Sequence, residues 1–259
     1  MNILFIGDIV GRPGRNIVFD YLSQIKKDYA IDFTIVNGEN SAHGKGITKR
    51  IYSQLIENGV DCVTMGNHSF SKSDIIEELP KLNRLIVPYN NNRALGTGAR
   101  IFDIKGLKVC VCNILGEVFM NEVAESPFAA MEDIIKLYPD CVYIVDFHAE
   151  ATSEKLLFAH YFQDYLLATL GTHTHVQTAD ERLIGRGAYI SDVGMCGAYD
   201  SIIGRDIQEV MASHIDKEKT HFTVAEGPAQ LCAVVIEVDE KNACAKSIKR
   251  IYIRPKSSK

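Results

Sequence analysis

The stretch NILFIGDIVGRPGRNIVFDYLSQIKKDYAIDFTIVNGEN, residues 2–40, sets two short apolar runs around one amphipathic segment, and each run stops on polar side chains. Residues 3–7 are apolar, with β-branched Ile3 and Ile6, the pattern of a short buried strand. Pro13 stands where a first helical turn favours it, and Ile17, Tyr21, Leu22 and Ile25 recur at helical spacing, which predicts a helix over 13–29. A second strand follows over 33–36. Strand, helix and strand in this order predict a parallel βαβ unit. Ligands to such sheets collect outside the carboxyl ends of the strands. The first strand ends on Gly7-Asp8 and the second on Asn37-Gly38-Glu39-Asn40.

The pattern continues outward. A helix is predicted over 48–58, capped by Thr48 and stopped by Gly59, then a strand over 60–65 that ends on Gly66-Asn67-His68. Ser71 or Ser73 caps a short helix ending at Pro80. Lys105-Gly106 marks a hairpin between strands over 100–104 and 107–113. A loop over 115–126 is long for a compact domain, itself a hint of function. Pro127 starts a helix, and a strand over 141–147 runs into His148. Ser153-Glu154 opens a helix through about 166, and residues 167–171 lead to Thr172-His173-Thr174-His175. The remainder predicts a hairpin about Gly185-Arg186-Gly187, a glycine-punctuated loop over 191–204, a helix over 206–214 and long strands over 230–238 and 243–253. The tail, 256–259, is expected to fray. No repeat, linker or low-complexity segment interrupts the chain, so 1–259 is expected to form one domain with two halves.

Composition narrows the function classes. The 259 residues are 46% hydrophobic and 24% charged, ordinary for a globular protein with a sizeable core. A net charge of −5 argues against a nucleic-acid coat or a basic membrane patch. A small phosphorylated substrate stays open, because a metal site supplies positive charge locally. The seven cysteines are odd in number and lack a CxxC pair, so they predict buried free thiols and a reducing compartment. With no basic leader and no apolar stretch of membrane-spanning length, a cytoplasmic protein is expected.

Asp8, Glu39, Asn40, Asn67, His68, His148, His173 and His175 thus sit in five clusters at predicted strand ends. Each has an ordinary alternative: Asp8 as a helix cap, Glu39-Asn40 as turn residues, His148 as a hydrogen-bonded structural histidine. Five such accidents in one topology are far less plausible than one shared centre. Asp, Glu, Asn and His form a ligand set suited to manganese, iron or zinc rather than calcium. If the His-x-His segment is extended, both imidazoles lie on one side and each can serve a different ion. A carboxylate bridging two ions about 3.5–4 Å apart would complete a two-metal hydrolase site. His43, His160, His214 and His221 lack such a context.

The segments GDIVGRPGR (7–15), NGEN (37–40), GNH (66–68), FHAEATSEK (147–155) and GTHTHVQTAD (171–180) resemble the calcineurin-like metallophosphoesterases. Within them the chain resembles the YmdB-type cyclic-nucleotide phosphodiesterases, through to SDVGMCGAYDSIIG (191–204). The resemblance implies a four-layer α/β/β/α sandwich with a dinuclear site at the C-terminal edge of the sheets, holding iron, or else manganese or zinc. It implies that Asp8, Asn40 and His175 bind one ion, that Asn67, His148 and His173 bind the other, and that Glu39 bridges. A metal-bridging hydroxide would attack a 2′,3′- or 3′,5′-cyclic nucleotide, with His68 as proton donor to the leaving oxygen. Three features depart from the wider superfamily. Ile9-Val10 follow Asp8 where a histidine is usual, which makes Asn40 the substitute ligand. Ser69 follows His68 where an acid is common, and the bridge is Glu rather than Asp.

Two other readings fit the same residues: a phosphomonoesterase or phosphoprotein phosphatase, and a nucleotide- or metal-sensing regulator that acts through a partner. Arg12, Arg15, Lys45 and the glycine-rich 42–46 segment can meet phosphate, or be solvated loop residues. The loops over 115–126 and 194–204 can line the pocket. Homo-oligomerisation is a common default.

Overall fold

A computed structural model describes residues 1–93, 95–120 and 123–255. The predicted tail over 256–259 lies outside the described residues, as do Asn121 and Glu122 of the predicted 115–126 loop. The first half forms β1 (Asn2–Ile6), β2 (Asp8–Ile9), α1 (Gly11–Asp28), β3 (Phe33–Asn37), α2 (Lys49–Glu57), β4 (Cys62–Thr64), α3 (Ser73–Glu78) and β5 (Leu85–Ile86). A hairpin of β6 (Ala99–Ile104) and β7 (Leu107–Leu115) follows, then α4 (Pro127–Leu137), β8 (Val142–His148), α5 (Thr152–Tyr161) and β9 (Leu166–Thr172). The chain closes with β10 (Arg182–Ile184), β11 (Gly187–Ile190), β12 (Met195–Ala198), α6 (Ile207–His214), β13 (Ala229–Asp239) and β14 (Cys244–Ile253).

These strands make two sheets. The first runs β2-β12-β13-β1-β3-β4-β5, with β14 also paired to β13. The second runs β10-β11-β9-β8-β7-β6. β1, β3, β4 and β5 are mutually parallel, as are β7, β8 and β9, so each sheet aims several strand ends the same way.

Strand periodicity explains the packing. In β1, Ile3 and Phe5 join a core with Ile35, Val109, Val111, Ile144 and Leu170, which brings side chains of both sheets together. Leu4 and Ile6 point the other way, into a core with Ile17, Val18 and Leu22 of α1 and Leu55 of α2. β7 divides likewise: Val109 and Val111 face the other sheet, whereas Cys110 and Cys112 pack with Met131 and Ile134 of α4 and Phe158 of α5. Successive side chains on a strand face opposite ways, so strands covered on both faces must be apolar throughout. Each fully buried Leu, Ile or Phe contributes roughly 1.5–3 kcal/mol.

The structure bears out one helix cap and corrects several boundaries. Thr48 caps α2, accepting from the Ile51 N–H at 3.3 Å. α3 is preceded by Lys72 and has no side-chain cap, so neither Ser71 nor Ser73 performs that role. α5 stops at Tyr161, short of the predicted 166, because the chain must turn before β9. The predicted loop over 191–204 contains β12, whose Met195 and Cys196 pair with Asp8 and Ile9 of β2. Both strands are too short to give a periodic signal. All seven thiols are free and five are buried. Among the described residues no helix is long and apolar enough to cross a membrane.

Candidate metal centre

Five strand ends converge. Asp8 opens β2 directly after β1, Glu39 and Asn40 follow β3, and Asn67 and His68 follow β4. His148 is the last residue of β8, and His173 and His175 follow β9. Asp8 does not cap α1, whose N-cap is Val10 without a side-chain bond. Its carboxylate is fully buried and Oδ1 has no hydrogen-bond partner. Leaving a buried acceptor unmet costs about 1–3 kcal/mol, which a cation would relieve.

The donor atoms fall into two sets that share Glu39. In one, Asn67 Oδ1 and His173 Nδ1 each lie 3.0 Å from His148 Nε2, and Glu39 Oε1 lies 3.3 Å from it. Glu39, His148 and His173 offer ligand atoms all within 4.8 Å of one another. In the other, Asn40 Nδ2 is 3.1 Å from both His175 Nε2 and Glu39 Oε1, and His175 Nε2 is 3.8 Å from Asp8 Oδ1. Turning the Asn40 amide about its Cβ–Cγ bond would present Oδ1, the atom a cation takes. Gly66 makes room: a Cβ there would stand 2.1 Å from Glu39 Oε2 and 2.5 Å from His148 Nε2. This donor set fits transition-metal ions.

Outer partners fix which nitrogen each histidine turns inward. Thr172 donates its hydroxyl to Asp146 Oδ1 at 2.6 Å, so it can only accept from His148 Nδ1, 2.8 Å away. The proton on Nδ1 leaves Nε2 for the centre. His175 Nδ1 donates to the Ile203 carbonyl at 2.9 Å, again freeing Nε2. His173 is reversed: Nε2 lies 3.3 Å from Glu150 Oε2, and Nδ1 faces His148. Three rings thus turn one nitrogen each to one place.

The His-x-His segment is not extended, so the condition under which both rings share one side of a strand is not met. His173 has φ +99° and His175 φ +67°, a left-handed backbone that costs about 1–3 kcal/mol per residue when it is not glycine. A buried ion pair holds it. Lys155 Nζ donates to the Thr172 carbonyl at 2.8 Å and to Asp192 Oδ2 at 3.1 Å, and Asp192 Oδ2 also accepts from the Thr174 N–H at 3.0 Å.

Burial and charge set the protonation of the metal-free centre. Burial raises Asp8 to about 7, against the pull of His175 and His148. Burial also opposes ionisation of Glu39, but the His148 imidazolium outweighs it and holds that carboxyl well below its usual range. Burial lowers His148, yet Glu39 and then Asp8 outweigh it and raise the ring to about 9. Burial, with the His148 charge, drops His173 to about 3, so its ring is neutral. Asp8 and His148 must therefore shed protons to ligate. Apparent metal affinity is expected to climb steeply up to pH 7, more gently from 7 to 9 as only His148 still competes, and then level off. Metal titrations in weakly buffered solution, with proton release followed by indicator dye, check this. Affinity independent of pH between 6 and 9 would contradict it.

Sequence reading passed over several supporting residues. Asp146, in the apolar run Val142–His148, is buried and gathers Asn37, Thr64 and Thr172. Burial lifts its carboxyl to about 6 against those contacts and His148. An acid inside a fully apolar strand was the available signal, since such a group needs partners. Glu150 stood in a quoted motif, but its role depends on three-dimensional proximity to His173. Glu154 accepts from the N–H groups of Glu117 and Val118, tying down the start of the 115–126 loop. Ser69 donates to the Gly66 carbonyl at 2.6 Å, and the His68 backbone N–H donates to Glu39 Oε2 at 3.2 Å.

A cleft of about 280 Å³ opens on the centre, lined by Glu39, Asn40, His68, Glu150, Arg205 and the 173–175 segment. Arg12, Arg15 and His43 line a separate cleft, with Arg12 paired to Glu226 and Arg15 donating to the Ser41 carbonyl.

This architecture is that of the 5′-nucleotidase type of fold. A 5′-nucleotidase precursor from Thermus thermophilus superposes with a TM-score of 0.54 over 98% of this chain and 54% of that one, at 12% identity, a likeness of fold alone. The chain belongs to the YmdB-like protein family, whose model matches residues 4–251. It is 43% identical to the 2′,3′-cyclic-nucleotide 2′-phosphodiesterase of Bacillus subtilis over 98% of this chain and 97% of that one. The crystal structure of a phosphatase from Mycoplasma pneumoniae superposes with a TM-score of 0.91 at 38% identity, over 98% of this chain and 93% of that one.

Proposed function

We propose that this chain is a metal-dependent phosphodiesterase that opens cyclic nucleotides, 2′,3′-cyclic first and 3′,5′-cyclic second. The observation that carries the reading is the inward turn of three histidine nitrogens onto Asp8 and Glu39, beside a cleft of about 280 Å³. The name of the Bacillus subtilis relative supports the cyclic substrate. The reading takes 1–259 as one four-layer α/β/β/α unit with a dinuclear centre, in keeping with cores between the sheets and under the helices of each. Free thiols throughout suit a reducing, cytoplasmic setting.

Asp8, Asn40 and His175 hold one ion, Asn67, His148 and His173 the other, and Glu39 both, with iron first and manganese or zinc as alternatives. Bound ions supply Lewis acidity toward the phosphoryl group and a nucleophile at neutral pH. Lys155 and Asp192 keep the histidine loop in its left-handed path, and Asp146 with Thr172 keeps the His148 proton on Nδ1. His68, in the cleft but outside both donor sets, protonates the departing ribose oxygen.

His68→Ala is expected to lower turnover by about 10²–10⁴-fold, the usual worth of a positioned proton donor, with metal content unchanged. Elemental analysis beside steady-state kinetics checks this, and loss of metal would make His68 a ligand. The activity itself is tested with a 2′,3′-cyclic nucleotide, a 3′,5′-cyclic nucleotide, an acyclic diester and a monoester. Preference for the monoester would favour the phosphatase reading that the Mycoplasma pneumoniae structure's name suggests.

A further inference from the structure

Of the described residues lining the cleft, Arg205 alone carries a fixed positive charge. It ends a tight turn in which Ile202 and Arg205 exchange backbone hydrogen bonds of 2.9 Å, with Ile203 at φ +45° and Gly204 at φ +94°. The Ile203 carbonyl of this turn fixes the His175 proton. One four-residue turn therefore both orients a candidate ligand and carries a guanidinium into the cleft.

The guanidinium is half-buried and lies against the 40–46 loop. Nη2 donates to the Gly44 carbonyl at 3.0 Å, and a Cβ on Gly44 would stand 2.6 Å from Nη1. Gly44 thus leaves space for an arginine beside this loop. Among the described residues no carboxylate lies within 4.0 Å of Arg205, although Glu39 and Glu150 line the same cleft. A guanidinium offers five donors in a planar fork that matches two phosphate oxygens. One carbonyl leaves most of that fork unspent.

We propose that Arg205 binds the phosphoryl group of the substrate, taking its non-bridging oxygens through the N–H groups not given to Gly44. The assignment rests on the phosphoesterase reading above and adds its phosphate-recognition residue. Arg205 then sets affinity for any phosphoester that enters, while the buried carboxylates and histidines are reserved for metal. The competing role is purely structural, a strap from the 202–205 turn to the 40–46 loop.

The test uses the metal-loaded protein, with inorganic phosphate as probe in equilibrium dialysis and a 2′,3′-cyclic nucleotide in kinetics. Arg205→Gln is expected to weaken phosphate binding by about 10- to 100-fold, the scale of a charge-assisted hydrogen-bond pair, and to raise KM similarly. Metal content should not change and kcat should move less than KM. Arg205→Lys, which keeps the charge but not the fork, should recover part of the affinity. Unchanged phosphate binding in Arg205→Gln overturns the proposal, as does loss of metal in that variant or failure of the unmodified protein to bind phosphate. If phosphate binding falls but neither protein turns over any phosphoester, Arg205 keeps its assignment and the phosphodiesterase reading falls.

Discussion

Glu39→Gln should leave a folded protein that retains neither metal ion at wild-type affinity and turns over at least about 10³-fold more slowly, equivalent to about 4 kcal/mol of lost transition-state stabilisation. Glu39 is 1% exposed, and its Oε1 lies beside a residue of each donor set, 3.1 Å from Asn40 and 3.3 Å from His148. A carboxylate in that position would neutralise charge for both ions of the proposed pair, and a carboxamide would do so for neither. Metal-free stability should fall less. Breaking a buried pair costs about 3–5 kcal/mol when the remaining charge is trapped. Without Glu39, however, the main cause holding the His148 proton disappears, and the ring can become neutral. Elemental analysis and kinetics of Glu39→Gln should be set beside Asn67→Ala, which removes a ligand from one set only and should deplete one ion. Were Glu39→Gln to lose a single ion as well, the bridging assignment would be wrong.

The contrast between these variants follows from how much of the centre was readable in the chain. Asp8, Glu39, Asn67, His148 and His173 each come at or just beyond the end of an apolar run, and strand period alone places such residues at the carboxyl ends of strands, here in two sheets. What period cannot give is the path between elements. His173 and His175 adopt positive φ, a conformation that local preference argues against, and partners distant in sequence, Asp192 and Lys155 among them, hold it. β2 and β12 were unreadable for a related reason. Two and four residues carry no alternation, and their pairing depends on where Gly7 and Gly194 bring two loops together.

Arg205 and Glu150 show the same limit at the level of chemistry. Each is an ordinary charged residue in its own segment, and each gains meaning from a partner far along the chain, Gly44 for one and His173 for the other. Asp146 differs, because burial of an acid within an apolar strand was itself a signal. The basic residues that sequence did single out, Arg12 and Arg15, line a separate cleft rather than the one beside the centre. Charge near a motif is therefore a weaker guide than position at a strand end.

Gly66→Ala should be as damaging as loss of a ligand, although it adds only a methyl group. Gly66 is not among the glycines at positive φ, so alanine meets no backbone penalty there. The obstacle is space. The new Cβ would stand 2.1 Å from Glu39 Oε2, 2.5 Å from His148 Nε2 and 2.6 Å from His148 Cδ2, closer than non-bonded atoms approach. Neither neighbour has room to retreat, since both side chains are buried and His148 is held from behind by Thr172 and Asp146. The segment carrying Asn67 and His68 must move outward instead, spoiling the second donor set and the proton donor together. Turnover is expected to fall by about 10³-fold or more, again about 4 kcal/mol. Added metal should no longer raise the melting temperature, because stabilisation by a ligand requires binding to the native state. Gly38→Ala is the control, its Cβ falling 2.9 Å from Val63 Cγ1 and 3.2 Å from Ile47 Cδ1, against apolar side chains rather than ligands. That variant should lose stability yet keep its metal response. Circular dichroism, melting curves with and without metal, and kinetics on both variants decide the matter. A Gly66→Ala protein that binds two ions as tightly as wild type would mean that Glu39 and His148 do not meet beside Gly66 in the working enzyme.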